Sequence, residues 1–185
     1  MCALEKIDIP NKEKIILEGL VSGKDLNQAF KKNNVKYLNK KIVPQEIQPY
    51  IDEGWEKIGR GSKKFLRLRK LKDLSVGFED EVWCIFYKMG FDEMNKDHDF
   101  SILRKGSNLT KQIDVFARDE QCICVIECKA AEKPHTRRSL DKDIDQMAGI
   151  RHEIELSIFS HYKNLGYTNK FKIVWIIALK PAFPT

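Results

Sequence analysis

Apolar residues in the second half of the chain recur at helical spacing in two stretches and at strand spacing in four. Residues 77–91 carry apolar side chains at positions 78, 82, 85, 86 and 89, and residues 141–159 repeat this spacing, which predicts two helices packed on one side. Residues 97–103, 112–117, 122–130 and 171–179 are β-branched and apolar, which predicts strands. In chain order these elements read α-β-β-β-α-β, so we expect an α/β fold with a mixed four-stranded sheet flanked by helices.

The first part of the chain is more polar. Residues 1–56 predict a helical N-terminal region, with helices expected at 12–20 and 24–32 and a short one at 43–51, entered through a proline. Residues 57–76 are expected to form a basic connecting segment, and residues 77–185 the core. The domain organisation is therefore one core with an N-terminal appendage.

Charge adds a candidate surface to this picture. The net charge is +6, and positions 57–72 hold eight lysines and arginines and no acid, interleaved with apolar residues. Such a segment can pack one side while it offers the other to phosphates, although a solvated linker or edge strand has the same composition. Eight residues are expected to contact nucleic acid. They are Lys63, Lys64, Arg67 and Arg69 of the basic segment, Lys105 of a predicted turn, and Lys133, Arg137 and Arg138 of a basic loop.

Composition also bears on membrane association, secretion and the state of the cysteines. No apolar run approaches ~18 residues, so no membrane span is expected, and charged residues begin at the fifth position, which argues against a secretory leader. The five cysteines are expected to be reduced, as in a cytoplasmic protein. Pro181 and Pro184 closely follow the last strand, which suggests part of a longer chain or of a larger complex.

The predicted hairpin at 112–130 ends in charged side chains. Glu127 and Lys129 are two apart on one strand and should share a face, while Cys128 points to the other. Asp114 lies about as far before the turn as Glu127 lies after it, so antiparallel pairing should bring the two carboxylates together. Like charges so placed favour a hard divalent cation, Mg²⁺ or Mn²⁺, between them.

Asp114 followed by Glu127-Cys128-Lys129 resembles the D…(D/E)-x-K signature of the PD-(D/E)xK nuclease superfamily, which has the restriction-endonuclease-like fold. The helix from Phe78-Glu79 to Gly90-Phe91 is similar to the one that opens the fold in the branch that includes type IV enzymes, and Gln146 matches a glutamine of that branch. Ile150 stands where the fuller motif has tyrosine, and Ile113 where the superfamily often has proline.

This resemblance implies a Mg²⁺-dependent deoxyribonuclease, with DNA as partner and a homodimer as a possible assembly. Asp114, Glu127 and the backbone carbonyl of Cys128 would hold the metal, Lys129 would act on the attacking water or the phosphate, and Glu79 and Gln146 would complete the catalytic set. A weaker resemblance to the N-terminal nuclease module of DGQHR-domain proteins, which are related to DNA phosphorothioation systems, points to restriction, DNA modification or phage defence.

Three other interpretations stay open at this stage. The chain could be a catalytically inactive nuclease-fold domain that binds DNA or acts as a scaffold, or a nuclease directed at RNA. Cys122, Cys124 and Cys128 with His98 or His135 could form a zinc site, but a C-x-C pair on a strand lacks the turn that C-x-x-C zinc sites use.

Overall fold

In the computed structural model, residues 17–59, 64–131, 140–168 and 171–181 are described, and in this part of the chain four helices accompany a mixed five-stranded sheet and two smaller sheets. The helices are α1 (Gly23–Asn33), α2 (Ile47–Asp52), α3 (Leu74–Lys88) and α4 (Asp141–Asn164). The strands are β1 (Leu20–Ser22), β2 (Tyr37–Ile42), β3 (Glu56–Lys57), β4 (Leu66–Leu71), β5 (Glu93–Asn95), β6 (Ser101–Leu103), β7 (Thr110–Gln112), β8 (Val115–Arg118), β9 (Cys122–Ala130) and β10 (Lys172–Lys180). The predicted mixed α/β class is confirmed.

The main sheet has the strand order β1-β5-β8-β9-β10. The first four strands pair antiparallel, and β10 pairs parallel with β9, with Lys172 opposite Cys122 and Lys180 opposite Ala130. A parallel neighbour requires a crossover, and α4 supplies it. Along the chain, α3, β5, β8, β9, α4 and β10 follow the order α-β-β-β-α-β.

The two faces of the main sheet bury separate cores because side chains alternate along β8 and β9. Val115, Cys124 and Ile126 pack with residues of α1 and α3. Phe116 and Val125 pack on the other face with residues of α4. By the same alternation, the residues that follow Val125 at steps of two, Glu127 and Lys129, belong to the α4 face, at the end of β9.

The prediction of a first core strand at 97–103 was wrong. The strand in that place is β5, and residues 101–103 form β6, which pairs with β7 in a separate two-stranded sheet. Residues 112–117 are likewise not one strand, because Ile113 and Asp114 separate β7 from β8. Backbone pairing between β5 and β8 stops at Asn95, whose side chain makes the next hydrogen bonds instead. Its Oδ1 accepts from Phe116 N at 2.9 Å, and its Nδ2 donates to Asp114 O at 3.1 Å.

The N-terminal region was predicted to be helical, and its residues before 17 lie outside the described ranges. The described part, from residue 17, contains α1 and α2 where helices were expected, but also three strands, of which β1 extends the main sheet beside β5. Position 20 is the start of β1 and not a helix end. The basic segment is not a connecting linker either: β4 is the central strand of a sheet ordered β2-β4-β3. Its Leu66 and Leu68 pack beneath α2 with Ile42 and Trp55.

Neither helix of the core has its predicted bounds. Helix α3 begins at Leu74, three residues early, so Glu79 lies in its second turn, and the helix is followed by Gly90 at φ 93°. Helix α4 continues to Asn164, and its second half is the buried part, with Ile154 and Ile158 in the core. Ile144 and Ala148 belong to the apolar side on which the helix predicted at 141–159 was expected to pack, but both are exposed near the start of α4.

Candidate active site at the end of the β8–β9 hairpin

Asp114 lies at the start of the hairpin, directly before β8. Val115 pairs with Ile126, and continuing this register by one pair places Asp114 opposite Glu127. The Asp114 carboxylate accepts a 2.7 Å hydrogen bond from the backbone N–H of Cys128. The carboxylate thus accepts a hydrogen bond that a backbone carbonyl would accept in a regular β-ladder. This contact holds the carboxylate at the end of the β8–β9 hairpin.

The carboxyl group of Asp114 is electrostatically strained. Burial is the main cause that raises its pKa, to about 6; the hydrogen bond from Cys128 opposes this, and the nearby charges of Glu127 and Glu79 add to it. Lys129 favours the ionised form but does not reverse the shift. Two further carboxylates are therefore close enough to Asp114 for their negative charges to raise its pKa.

Glu127 is held between two lysines. Its Oε1 lies 2.6 Å from Lys129 Nζ and its Oε2 lies 3.1 Å from Lys111 Nζ. The Lys129 ammonium also lies 3.7 Å from Asp143 Oδ1, on the first turn of α4. All four side chains are largely buried, at 14–19% exposure, so these pairs are screened less than ion pairs on the surface.

Lys129 is a cation in this arrangement. Burial lowers its pKa, but the hydrogen bond to Glu127 and the negative charges of Glu127, Asp143 and Asp114 outweigh burial and hold the pKa above the ordinary value of lysine. A lysine with such a pKa remains protonated near neutral pH. It can therefore neutralise or orient an anion, and it is not suited to accept a proton.

The backbone of Cys128 provides a third oxygen. In a strand the N–H and C=O of one residue point to the same side, so the carbonyl of Cys128 points, like its N–H, towards Asp114. The ladder with β8 ends two residues earlier along β9, at Ile126 opposite Val115. The side chain of Cys128 packs on the opposite face, as predicted, against the core beneath α3.

Glu79 reaches the site from α3 but is engaged by a histidine. His98 Nδ1 lies 2.8 Å from Glu79 Oε2, and its Nε2 lies 3.3 Å from Asp80 Oδ1. The carboxylates of Asp80 and Glu79 raise the pKa of His98 to about 9, against the opposing effect of burial. Asp80 is also paired with Lys72 at 2.5 Å, and both side chains are buried. The charges of Lys72, Asp80, His98 and Glu79 thus alternate in sign along one series of contacts.

Gln146 is not brought to these groups by any described contact. It is exposed on α4, one turn beyond Asp143. Helix α4 contributes Asp143 to the site instead, through Lys129.

The candidate nucleic-acid contacts fall in three places. Arg67 is exposed and Arg69 half-buried on β4, and Lys64 is exposed just before that strand. Lys105 is exposed in the turn between β6 and β7. The other candidates lie outside the described residues: Lys63, Lys133, Arg137 and Arg138.

The described residues include no group of three or more histidine, cysteine or acidic side chains arranged to hold a metal ion. The donors at the hairpin end are two carboxylates, of Asp114 and Glu127, and one carbonyl, of Cys128. Oxygen donors in this number fit Mg²⁺ or Mn²⁺, which retain several water ligands, and do not fit zinc. Cys122, Cys124 and Cys128 all pack on the α3 face, and no disulfide links the described cysteines; His135 lies outside the described residues.

Sequence reasoning missed Lys111, Asp143 and Asn95 at this site, and it considered His98 only as a possible zinc ligand. Lys111 lies one residue before the strand predicted at 112–117, so alternation did not give the direction of its side chain. His98 meets Glu79 from a position 19 residues away and Asn95 holds Phe116 from 21 residues away. Asp143 alone had a signal, since an acid in the first turn of a predicted helix follows the E-x-K strand.

The chain matches no protein-family model, no curated protein and no solved structure. The assignment of a function therefore depends on the site itself. None of the helices in the described ranges combines the length and apolar character that crossing a membrane demands.

Proposed function

We propose that this chain is a metal-dependent endonuclease module of the PD-(D/E)xK type that hydrolyses DNA phosphodiester bonds. The observation that carries the proposal is the meeting of Asp114, Glu127 and Lys129 at the end of the β8–β9 hairpin, with Lys129 Nζ 2.6 Å from Glu127. Two carboxylates and an ammonium in a partly buried position are costly unless they serve a purpose.

The connectivity supports the same proposal. The order α3-β5-β8-β9-α4-β10 is the α-β-β-β-α-β order of the restriction-endonuclease-like core, and the hairpin that bears the acids leads into the crossover helix. Strand β1, the two-stranded β6–β7 sheet and the small β2-β4-β3 sheet would be additions to that core. Fold alone does not establish activity, so the proposal depends on the site.

Asp114 and Glu127, with the carbonyl of Cys128, would hold Mg²⁺ or Mn²⁺. The raised pKa of Asp114 supports this, because a cation beside the carboxylate would offset the burial and the negative charges that raise it. Glu127 would exchange its contact with Lys111 or Lys129 for the metal. The bound ion would supply Lewis-acid stabilisation of charge and a lowered pKa of a water molecule.

The residues of the chain have separate roles in this proposal. Lys129, protonated and anchored by Asp143, would orient the attacking water or bind the attacked phosphate as its negative charge grows. Lys111 would neutralise Glu127 before DNA arrives and then be available to the phosphate. Glu79, positioned by His98, would complete the site through a water. Gln146 would have a part only if substrate draws it in.

The proposal is tested by incubating duplex DNA with the protein and Mg²⁺ or Mn²⁺ and by measuring cleavage of wild type, Asp114→Asn and Lys129→Ala. Both substitutions should reduce cleavage by at least ~100-fold, the scale of one lost group that stabilises transition-state charge. The matched controls are Asp119→Asn, at the other end of the hairpin, and Lys172→Ala, at the far end of β10, which should cleave like wild type. Cleavage that survives both site substitutions would refute the catalytic assignment.

One observation favours a second candidate, a nuclease-fold domain that binds DNA without cleaving it. Both oxygens of Glu127 are already paired with lysines, as they would be in a site where ammonium groups permanently replace the metal. Isothermal titration with Mn²⁺ separates the two candidates: micromolar to millimolar binding that Asp114→Asn abolishes supports the nuclease, and no binding supports the inactive domain. Adding RNA and single-stranded DNA to the cleavage assay tests the RNA-directed alternative.

A further inference from the structure

The small sheet β2-β4-β3 has one covered and one open face. Registers Ile42↔Leu66 and Lys40↔Leu68 define the covered face, on which Leu66 and Leu68 pack with residues of α2 and with Trp55. The pairs Lys41↔Arg67, Asn39↔Arg69 and Tyr37↔Leu71 define the other face, which we term the outer face. Glu56 of β3 joins the outer face opposite Arg69.

Repulsion between like charges on the outer face destabilises the small sheet. Lys41 and Arg67 are directly opposite each other on antiparallel strands, and like charges in that position are destabilising. Among the described residues, the three cations Lys41, Arg67 and Arg69 share this face with one acid, Glu56, whose 3.1 Å contact with Arg69 is exposed and therefore weak. The face therefore presents an excess of positive charge that an anionic ligand would offset.

Aromatic rings accompany these cations. Tyr37, on β2, and Phe65, directly before β4, are 38% and 40% exposed, which is high for large aromatic side chains. The guanidinium of Arg69 lies 4.7 Å from the centre of the Tyr37 ring, and Lys41 Nζ lies 4.4 Å from the centre of the Phe65 ring. The guanidinium plane and the exposed ring surfaces are the groups on which unpaired bases stack.

We infer that the outer face binds a single-stranded segment of nucleic acid, with phosphates on Lys41, Arg67 and Arg69 and bases stacked at Tyr37 and Phe65. A paired duplex would use the cations but gains nothing from exposed rings, whereas unpaired bases use both. The face lies on the strands that lead into α3, because β4 ends at Leu71 and α3 begins at Leu74. It would thus hold an unpaired strand on the segment that joins the catalytic core, and it does not depend on whether that core cleaves.

The test measures equilibrium binding by fluorescence anisotropy, in EDTA, with labelled single-stranded DNA and RNA of about a dozen nucleotides and with the duplex of the same sequence. Single strands of at least one kind should bind more tightly than the duplex. The slope of log affinity against log salt concentration gives the number of phosphates contacted, at about 0.7 per phosphate for single strands.

The chain offers a closely matched pair of variants, Lys41→Gln and Lys40→Gln. They are neighbours on β2, remove the same charge and each lose one cation–π contact, since Lys40 Nζ lies 4.3 Å from the centre of the Tyr50 ring; only Lys41 is on the outer face. Lys41→Gln should weaken single-strand binding several-fold and reduce the salt slope by about 0.7, while Lys40→Gln should stay within twofold of wild type.

Tyr37→Ala separates stacking from charge. It should weaken binding about tenfold with an unchanged salt slope, because a lost stacking partner removes no phosphate contact. Equal effects of Lys40→Gln and Lys41→Gln, tighter binding of the duplex, or no binding of any single strand would each overturn the inference. Binding is measured in EDTA, whereas cleavage requires a divalent ion, so a failure of the nuclease proposal and a failure of this inference give different results.

Discussion

Asp114→Asn is expected to make the protein more stable in the absence of metal while it removes the proposed activity. In the folded protein burial is the largest effect that raises the pKa of Asp114, to about 6 from 3.8, with the charges of Glu127 and Glu79 in support. The folded state therefore retains a proton that the unfolded state releases near pH 4. Stability falls as pH rises from about 4 to about 6, and the penalty stays constant above that range.

The size of the effect follows from the shift. A change of about two pKa units corresponds to a ceiling of about 3 kcal/mol at 1.36 kcal/mol per unit. Asp114 is only partly buried, so solvent screening reduces this value to about 1–2 kcal/mol at pH 8. Asparagine has no charge to bury and retains an oxygen that can accept the hydrogen bond from Cys128. For a chain of this length the gain corresponds to a rise in Tm of about 4 °C.

The assay is urea denaturation of wild type and Asp114→Asn in EDTA between pH 4 and pH 8. The two unfolding free energies should diverge as pH rises to about 6 and then run parallel. Addition of Mg²⁺ at pH 8 should stabilise wild type and leave the variant unchanged, because a ligand stabilises only the state that binds it.

Asp119→Asn is the matched control in the same hairpin. Burial acts to raise the pKa of Asp119, but hydrogen bonds from the N–H groups of Cys122 and Gln121 outweigh burial and lower it. Its charge thus contributes stability that is present above the unfolded pKa and is lost as pH falls, so the amide should destabilise at pH 8. If Asp114→Asn also destabilises at pH 8, the carboxylate is not strained and the argument for a metal at this position fails.

Three further predictions concern the groups around the site. Asn95→Ala should lower the free energy of unfolding by about 2–4 kcal/mol in urea denaturation, because three hydrogen bonds are lost in a buried position. The exposed control Asn39→Ala should stay within about 0.5 kcal/mol of wild type. A small effect of Asn95→Ala would show that backbone pairing can replace the side chain. Lys72→Met should cost about 2 kcal/mol, below the usual 3–5 for a buried charge left alone because His98 still faces Asp80; a neutral result would mean that the Lys72–Asp80 pair is not closed in solution. The imidazole of His98 should remain protonated at pH 8 in ¹⁵N NMR, and its stabilising contribution, complete below about pH 6.5, should be lost as pH rises through about 9; a neutral ring at pH 8 would contradict the described ion pairs.

The part of the fold that could be predicted from the sequence is the part with long, regular patterns. The apolar runs of β9 and β10 and the helical spacing in α3 and α4 each extend over at least nine residues, and all four elements are present close to their predicted positions. The placement of Glu127 and Lys129 on one face followed from alternation within β9 alone. The pairing of Asp114 with that end of the hairpin needed only the position of the turn.

The errors arose where a side chain replaces regular backbone pairing. Asn95 bonds to Phe116 N–H and to the carbonyl of Asp114, so a run of residues that reads as one strand is divided in two. The three-residue β5 is too short for a periodic signal. The basic run was predicted to be a connecting segment, with an edge strand as an alternative, and its central place in a sheet depends on β2 and β3, which are distant in sequence or too short to predict.

The position of β1 links the first described residues to the β8–β9 hairpin. Leu20 pairs with Asn95, whose side chain donates a hydrogen bond to the backbone carbonyl of Asp114. Strand β1 therefore covers the outer edge of β5 at this position. A deletion up to α1 would leave β5 as a bare border strand, open to pairing with another molecule. A shortened version of the protein that begins after β1 would thus be prone to self-association and would hold Asp114 less firmly, and loss of activity in it would say little about the deleted residues themselves.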